Sequence, residues 1–140
     1  MKLNTRDFGE IEIDEKDLIT FTSPIYGFEH YKRFAFLYHK EISEHFIWLQ
    51  SVEEQALCFL LVEPELVSDH YRPKLPGEAT RLLGEGDCMC WLMASIREPF
   101  AKSTVNLKSP IVVNPQRHLA AQLILEEDFP IRYPLFREEK

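Results

Sequence analysis

Cysteine is scarce in this chain, and the sequence shows no sign of secretion or membrane insertion. Three cysteines are an odd number, which disfavours a disulfide framework and favours a reducing compartment. The first ten residues contain no apolar core of the kind that a secretory signal needs. The longest unbroken apolar run, residues 56–62, is far too short to span a bilayer. We therefore expect a cytoplasmic protein that does not insert into membranes.

Positive charge is also in short supply. Lys and Arg total 16 against 23 Asp and Glu, which gives a net charge of −7 at pH 7. This balance argues against direct binding to nucleic acid or to an anionic membrane, because both depend on a basic surface. It suits a basic or neutral protein partner instead. With 140 residues, of which 45% are apolar, we expect one domain over residues 1–140 with its own core.

Cofactor and catalytic signatures are missing as well. The sequence has no GxGxxG, Walker, GxSxG or HExxH motif, and its histidines form no pair at metal-ligand spacing. We therefore predict no cofactor, no metal ligands and no catalytic residues. Cys88 and Cys90 could face one metal ion from a strand, but only Cys58 remains to complete the site, and core packing explains the pair better. The many acidic residues are read more simply as a solvated face than as an acid–base pair.

Short β-type runs recur along the chain, separated by polar connections or by connections with Pro and Gly. Residues 8–13 alternate apolar and polar side chains and residues 18–21 follow as a short strand, so we predict an N-terminal hairpin. The remaining predicted elements are strands at residues 33–38, 46–49, 57–62 and 88–96 and one or two helical turns at residues 78–83. This pattern predicts a mainly β fold, a small antiparallel β-barrel or sandwich, because a parallel sheet would need many more helices.

The most strongly β-coded stretch, residues 104–125, is predicted to form a second hairpin. Residues 111–113 are β-branched, residues 119–125 are apolar except for Gln122, and an Asn-Pro pair marks the turn between them. The tail, residues 127–140, contains two prolines and a charged end. We expect this tail to be loosely packed.

Five short motifs follow one another in order along residues 3–126. They are T-R-D-F-G-E-I at residues 5–11, a phenylalanine at 21 followed by G-F-E at 27–29, W-L-Q-S at 48–51, T-V-N-L-K-S-P-I-V-V-N at 104–114, and Q-L-I-L at 122–125. Together, in this order and spacing, they resemble the motifs of the FliW family of flagellar assembly factors. One departure is the family's G-L-P-G-F-like loop, which S-P-I-Y-G at 23–27 replaces here.

The resemblance implies a small β-barrel-like protein that acts as a partner switch without catalysis. Members of this family bind the translational regulator CsrA, the carbon storage regulator, and relieve its repression of flagellin synthesis, while flagellin competes for the same protein. We therefore expect CsrA and flagellin as partners. An acidic domain is electrostatically complementary to an RNA-binding protein, and competition between two partners needs only mass action.

Three groups of residues are candidates for contacts with a partner. The first group consists of polar residues of the second hairpin: Asn106, Lys108 and Asn114. Their alternative role is to hydrogen-bond the turn backbone. The second group lies on the last predicted strand, which is either a sheet edge that accepts a partner's strand or simply core: Gln122, Leu123 and Ile124. The third group combines acidic residues with an aromatic on a connection that is otherwise a solvated loop: Glu63, Glu65, Asp69 and Tyr71.

Two functions of other classes compete with this interpretation. A small β-barrel enzyme or ligand-binding protein could use the acidic residues, and it would show a deep pocket lined by carboxylates with shifted pKa values. An oligonucleotide-binding barrel would need a basic groove with exposed aromatic side chains. The net charge of −7 argues against the oligonucleotide-binding barrel.

Overall fold

A computed structural model describes residues 1–38, 45–68 and 70–136 of the chain. These residues form a mainly β structure with two short α-helices, which confirms the predicted fold class. The strands are β1 (Lys2–Asn4), β2 (Glu10–Glu12), β3 (Ile19–Ser23), β4 (Arg33–Leu37), β5 (Phe46–Ser51), β6 (Cys58–Val62), β7 (Met89–Ser95), β8 (Thr104–Val105), β9 (Ile111–Asn114), β10 (Leu119–Gln122) and β11 (Tyr133–Pro134). The helices are α1 (Pro64–Val67) and α2 (Glu78–Leu83), and one-turn 3-10 segments lie at Glu15–Asp17 and Phe100–Lys102.

Seven of the described strands close into a barrel. Each strand pairs with the next in the order β7-β6-β5-β4-β3-β10-β9, and β9 pairs back with β7. The pairings are antiparallel except for β3 with β10, which run parallel. We predicted an antiparallel sheet, so this pair is a correction. It arises because β10 returns from its hairpin with β9 and meets β3, a strand far away in the sequence, in the same direction.

Side chains of the barrel strands alternate between two cores. Phe34 on β4 and Leu49 on β5 belong to a cluster that draws members from all of the barrel strands and therefore fills the interior. The intervening Ala35, Leu37 and Trp48 belong to a second cluster on the outer face. Successive side chains of a strand point to opposite faces, so both faces of β4 and β5 are covered.

The outer face of β4 and β5 is covered by a hairpin of β1 and β2. Leu3 on β1 packs with Leu18, Ala35 and Leu37 in the outer cluster, and β1 pairs antiparallel with β2. We predicted that residues 8–13 would pair with residues 18–21, and that prediction is wrong because the latter strand lies in the barrel as β3. A three-residue strand such as β1 is too short to show a periodic pattern.

Strand β5 continues through Gln50 and Ser51, where we predicted its end. Gln50 is fully buried, and main-chain groups satisfy its amide. Its Oε1 accepts from the Arg6 N–H at 2.9 Å, and its Nε2 donates to the carbonyls of Gln55 at 3.0 Å and Leu57 at 3.3 Å. A polar side chain with these partners is tolerated in a core, so it holds the segment after β1 against the barrel.

The second predicted hairpin is confirmed. Strands β9 and β10 pair antiparallel, with Asn114 opposite Leu119 and Ile111 opposite Gln122. The predicted helical turns are confirmed as α2, whose Ala79 and Leu83 pack against Ala121 and Leu123 at one face of this hairpin. The hairpin therefore contributes to both the interior of the barrel and a smaller core beneath α2.

The described part of the tail is packed rather than loose. Strand β11 pairs with β8, and the buried Leu135 donates its N–H to the Ser103 carbonyl at 2.9 Å. Phe129 and Tyr133 pack against the same cluster as Leu135. Apolar residues spaced along a Pro-containing segment gave no pattern from which this packing could be predicted. Residues 137–140, the remainder of that expectation, lie outside the described residues.

Candidate protein-binding surfaces

Two asparagines of the second hairpin organise its turns. Asn106 Oδ1 accepts from the main-chain N–H groups of Lys108 and Ser109, both at 3.0 Å. Asn114 is fully buried; its Nδ2 donates to the Leu83 carbonyl at 2.8 Å, and its Oδ1 accepts from the Gln116 N–H at 3.1 Å. These bonds are the backbone role that we weighed against partner contact. Asn114 is therefore not available at the surface.

Lys108 joins the hairpin to the acidic segment that follows β10. The side chain is half-buried, and its Nζ donates to the main-chain carbonyl of Glu127 at 2.6 Å. The Glu127 carboxylate in turn accepts from the Lys74 N–H at 2.9 Å. This cation is held by an internal partner, so the hairpin does not present it as a freely mobile charge.

Gln122, Leu123 and Ile124 have three different environments. Gln122 bridges two loops, because its Oε1 accepts from the Tyr26 N–H at 2.7 Å and its Nε2 donates to the Ser109 carbonyl at 3.2 Å. Leu123 is buried beneath α2, whereas Ile124 is 58% exposed. Strand β10 itself is flanked by β3 and β9, so the prediction of a sheet edge is wrong for residues 119–122. For the segment that follows, residues 123–126, the sheet edge stays a prediction.

Acidic side chains surround the start of α1. Glu63 precedes the helix and accepts a hydrogen bond from His45 Nδ1 at 2.8 Å, while Glu65 in the first turn is exposed. Both line a cavity of about 350 Å³ that also contacts Cys90. Asp69, the third acidic residue that we singled out, lies outside the described residues.

Tyr71 belongs to the core and is 5% exposed. Its hydroxyl donates to the Leu107 carbonyl at 2.7 Å, and its ring meets the edge of Phe129 with 4.9 Å between centroids. Burial raises its pKa, because the ionised phenolate would lose its hydration. We predicted Tyr71 as an aromatic contact for a partner, and its burial corrects that prediction. It instead joins the connection after α1 to the hairpin.

Exposed apolar side chains near the described C-terminal end were missed by the sequence analysis. A cavity of about 470 Å³ is lined by Phe46, Leu66, Leu135 and Phe136 among others. Leu66 and Phe136 are 42% and 38% exposed, and the ring of Phe136 lies 5.0 Å from that of Phe100 between centroids. These residues lie on different elements without a shared period, so no local sequence signal predicts that they meet.

The three cysteines are free thiols with different surroundings. Cys90 packs against two core clusters, as we predicted, and burial raises its pKa to about 12. Cys58 is buried, with its pKa raised by burial to about 11. Cys88 lies before β7 and is exposed, which corrects the prediction of core packing for that residue. Thiols with raised pKa values are poor nucleophiles at neutral pH.

Two further observations concern the described stretches of the chain. They contain no group of three or more His, Cys, Asp or Glu residues arranged to hold a metal ion. None of their helices combines the length and the apolar character needed to cross a membrane.

Sequence comparison finds similarity along nearly the whole chain. A family model described as FliW protein matches residues 2–135. The chain is 35% identical over 144 residues to the flagellar assembly factor FliW of Syntrophus aciditrophicus (strain SB), covering 100% of this chain and 90% of that relative. It is 38% identical over 138 residues to the flagellar assembly factor FliW of an Exiguobacterium species, covering 96% of this chain and 94% of that protein.

Structural comparison agrees with the similarity in sequence. The fold superimposes on a crystal structure of the flagellar assembly factor FliW with a TM-score of 0.92 and 33% sequence identity, covering 100% of both chains. The likeness includes the segments that carry the candidate residues above, because no part of either chain is left out of the comparison.

Proposed function

The chain belongs to the FliW family, and on this premise we propose that it is a cytoplasmic flagellar assembly factor that acts by binding other proteins. In this proposal it binds CsrA and relieves the repression of flagellin synthesis, and flagellin competes with CsrA for it. It catalyses no reaction and contacts neither nucleic acid nor membrane directly. Relatives of high coverage are named as flagellar assembly factors, which supports an assembly role over the rival enzyme or ligand binder.

The negative charge of the chain is the observation that supports CsrA as its partner. The chain has a net charge of −7, and Glu65 stands exposed at the start of α1 with Glu63 beside it. A regulator that binds RNA needs a basic surface to neutralise phosphates. Complementary surfaces steer such proteins together and suppress wrong partners. An acidic protein can therefore occupy the regulator in place of RNA or beside it.

Competition then follows from concentration alone. A competitor that binds the same protein lowers the free concentration of that protein. The apparent binding free energy of the first partner is thereby weakened by RT ln(1 + [L]/Kd), where [L] and Kd are the concentration and dissociation constant of the competitor. For flagellin at a hundred times its Kd this amounts to about 2.7 kcal/mol. CsrA would be released as flagellin accumulates, and no chemical step is required.

Calorimetric titration of the chain with purified CsrA, at low salt, tests this proposal. We expect binding by the wild-type chain and at least about tenfold weaker binding by the double variant Glu63→Lys/Glu65→Lys, equivalent to about 1.4 kcal/mol or more. The matched control is Glu15→Lys/Asp17→Lys, which makes the same change in net charge at exposed residues of a 3-10 segment. Thermal melting of each variant reports whether the fold is retained.

The three titrations separate a local contact from a general charge effect. Loss of affinity in the α1 variant alone supports acidic recognition at that surface. An equal loss in both variants would mean that overall charge, and not the start of α1, guides the regulator. Absence of CsrA binding by the wild-type chain would overturn the proposed function.

A further inference from the structure

Strand β10 loses one of its two neighbours before its extended backbone ends. On the β3 side, Thr20 N–H donates to the His118 carbonyl at 3.0 Å, and the last residue pair of the parallel register is Ala121 with Ser23. Pro24 follows; it has no N–H to donate, and proline ends a ladder. Beyond this point, within the described residues, the hydrogen bond from the loop to β10 is the one that the Tyr26 N–H donates to a side-chain oxygen of Gln122.

The opposite side of the same segment remains paired. Leu123 N–H donates to the Pro110 carbonyl at 3.1 Å, and Leu125 N–H donates to the Lys108 carbonyl at 2.9 Å. In an antiparallel ladder, alternate residues direct their main-chain groups to opposite sides. The N–H and C=O of Ile124 therefore face away from residues 108–110, and neither makes a hydrogen bond to any described residue. Residues 123–126 form an open edge.

The side chains at this open edge also alternate. Leu123 and Leu125 are each 1% exposed and lie in the core, whereas Ile124 between them is 58% exposed. Tyr26, on the loop that borders the edge, is 80% exposed. An apolar side chain beside unpaired main-chain groups is the arrangement that protein sheets use to accept an added strand.

Charge decides what kind of strand the open edge fits. Exposed Glu126 and Asp128 come two and four residues after Ile124, and Glu29 lies on the bordering loop, where its carboxylate accepts from the Gly27 N–H at 3.1 Å. The positive group nearest in the ladder, Lys108 Nζ, is already held by the Glu127 carbonyl. A second copy of this acidic chain would bring like charges together, whereas a basic segment would meet opposite charges.

We propose that the open edge at residues 123–126 binds an extended, basic segment of a protein partner by β-strand addition. Main-chain groups of the partner pair with the N–H and C=O of Ile124, an apolar side chain packs on Ile124 and Tyr26, and a Lys or Arg lies opposite Glu126. The identity of the partner rests on the proposed function. Because the acidic edge requires a positively charged segment, we assign it to CsrA rather than to flagellin.

Amide hydrogen exchange read by NMR tests the pairing directly. In the free chain, the Ile124 amide is expected to exchange fast, while the Leu123 and Leu125 amides are protected by their internal bonds. Saturation with purified CsrA should slow exchange at Ile124 by at least about tenfold, because opening of a paired amide requires the added strand to leave. Saturation with purified flagellin should leave this amide fast.

The variant Ile124→Pro removes the outward N–H without removing an internal hydrogen bond. We expect it to weaken CsrA binding at least tenfold while the thermal melting temperature stays near that of the wild type. Ile131→Pro is the matched control, because Ile131 is 62% exposed at a bend seven residues further along the chain, outside the proposed edge. Should Ile124→Pro fail to fold, Ile124→Arg with the control Ile131→Arg takes its place, since it keeps the backbone and opposes a basic partner.

The outcomes separate this inference from the proposed function. CsrA binding with an unprotected Ile124 amide and unweakened binding by the Ile124 variant would overturn the strand-addition edge and leave the proposed function standing. Protection by flagellin alone would overturn the assignment of the edge to CsrA. Failure of the wild-type chain to bind either protein would overturn both.

Discussion

Replacing Asn114 by alanine is the sharpest test of how the second hairpin is held. Asn114 has no exposed surface, and its amide joins the end of α2 to the β9–β10 turn. Its Nδ2 donates to the carbonyls of Leu83 at 2.8 Å and Glu85 at 3.3 Å, while its Oδ1 accepts from the Gln116 N–H at 3.1 Å. Asn114→Ala removes all of these bonds and leaves α2 without this link to the hairpin.

The size of the effect follows from which groups water can reach. Leu83 is fully buried at the end of α2, and its main-chain carbonyl, a buried acceptor, costs about 1–3 kcal/mol when it is left without a partner. Gln116 is exposed, so its N–H can bond water and adds little. With the small loss of packing, we expect Asn114→Ala to lower the free energy of unfolding by about 2–4 kcal/mol. Asn106→Ala, whose partners are half-buried turn amides, should cost only about 1 kcal/mol.

Urea unfolding of the two variants checks this difference. With a slope of about 1.5 kcal/mol per molar urea, the midpoint should fall by about 1.3–2.7 M for Asn114→Ala and by about 0.7 M for Asn106→Ala. In the folded protein, CsrA affinity should be unchanged by Asn114→Ala because the side chain does not reach the surface. An unfolding midpoint close to the wild-type value, together with weakened CsrA binding, would refute the structural role and restore Asn114 as a contact residue.

Two further predictions concern buried groups. Tyr71→Phe removes the hydrogen bond to the Leu107 carbonyl and keeps the ring against Phe129. Thermal melting should therefore show a loss of stability of about 1–2 kcal/mol, and titration should show unchanged CsrA affinity. A loss of affinity without a loss of stability would contradict the burial of Tyr71. Burial raises the pKa of Cys90 to about 12, so its stabilising contribution is complete below the pKa of the unfolded thiol and is lost as the pH rises from about 9 toward 12. The free energy of unfolding should therefore decline with pH above about 9, and it should decline less steeply in Cys90→Ala, which lacks this thiol. Some decline should remain in the variant, because Cys58 and Tyr71 also have raised pKa values. Identical slopes in the two proteins would refute this assignment.

Local patterns were enough to predict the elements whose signal lies within a few residues. The apolar runs of β4 and β5, the helix-forming residues of α2 and the β-branched run of β9 each indicate their secondary structure without reference to distant parts of the chain. The β9–β10 hairpin belongs to the same class, because its strands are joined by a short turn with an Asn-Pro pair. The mainly β class follows from these elements together.

Pairings between distant segments could not be predicted in the same way. Strand β1 has only three residues and pairs with β2. This pairing is supported by the burial of Leu3 against the outer face of β4 and β5, which are distant in the sequence. The parallel contact of β3 with β10 joins segments about a hundred residues apart and depends on the closure of the whole barrel. Residues 123–125 are a continuous apolar run in the sequence, so the alternation that buries Leu123 and exposes Ile124 required the structure. The place where β3 ends and leaves the edge open required it as well.

The aromatic and acidic candidates show the limits of residue type as a signal. Tyr71 resembled a contact residue because it follows acidic side chains, yet its hydroxyl finds a main-chain carbonyl inside the core. No sequence pattern indicated a contact between Phe100 and Phe136, although their rings meet on the surface. Exposure is a property of the assembled fold, so these assignments required the structure.

In the function that we propose, this protein is occupied by one of two competing partners, CsrA or flagellin. The most direct test is to saturate the chain with fluorescently labelled CsrA and to titrate unlabelled flagellin while recording the anisotropy of CsrA. We expect CsrA to be released completely, at a flagellin concentration that rises in proportion to the CsrA concentration. Flagellin binding that leaves CsrA attached, in a stable complex of three proteins, would contradict it.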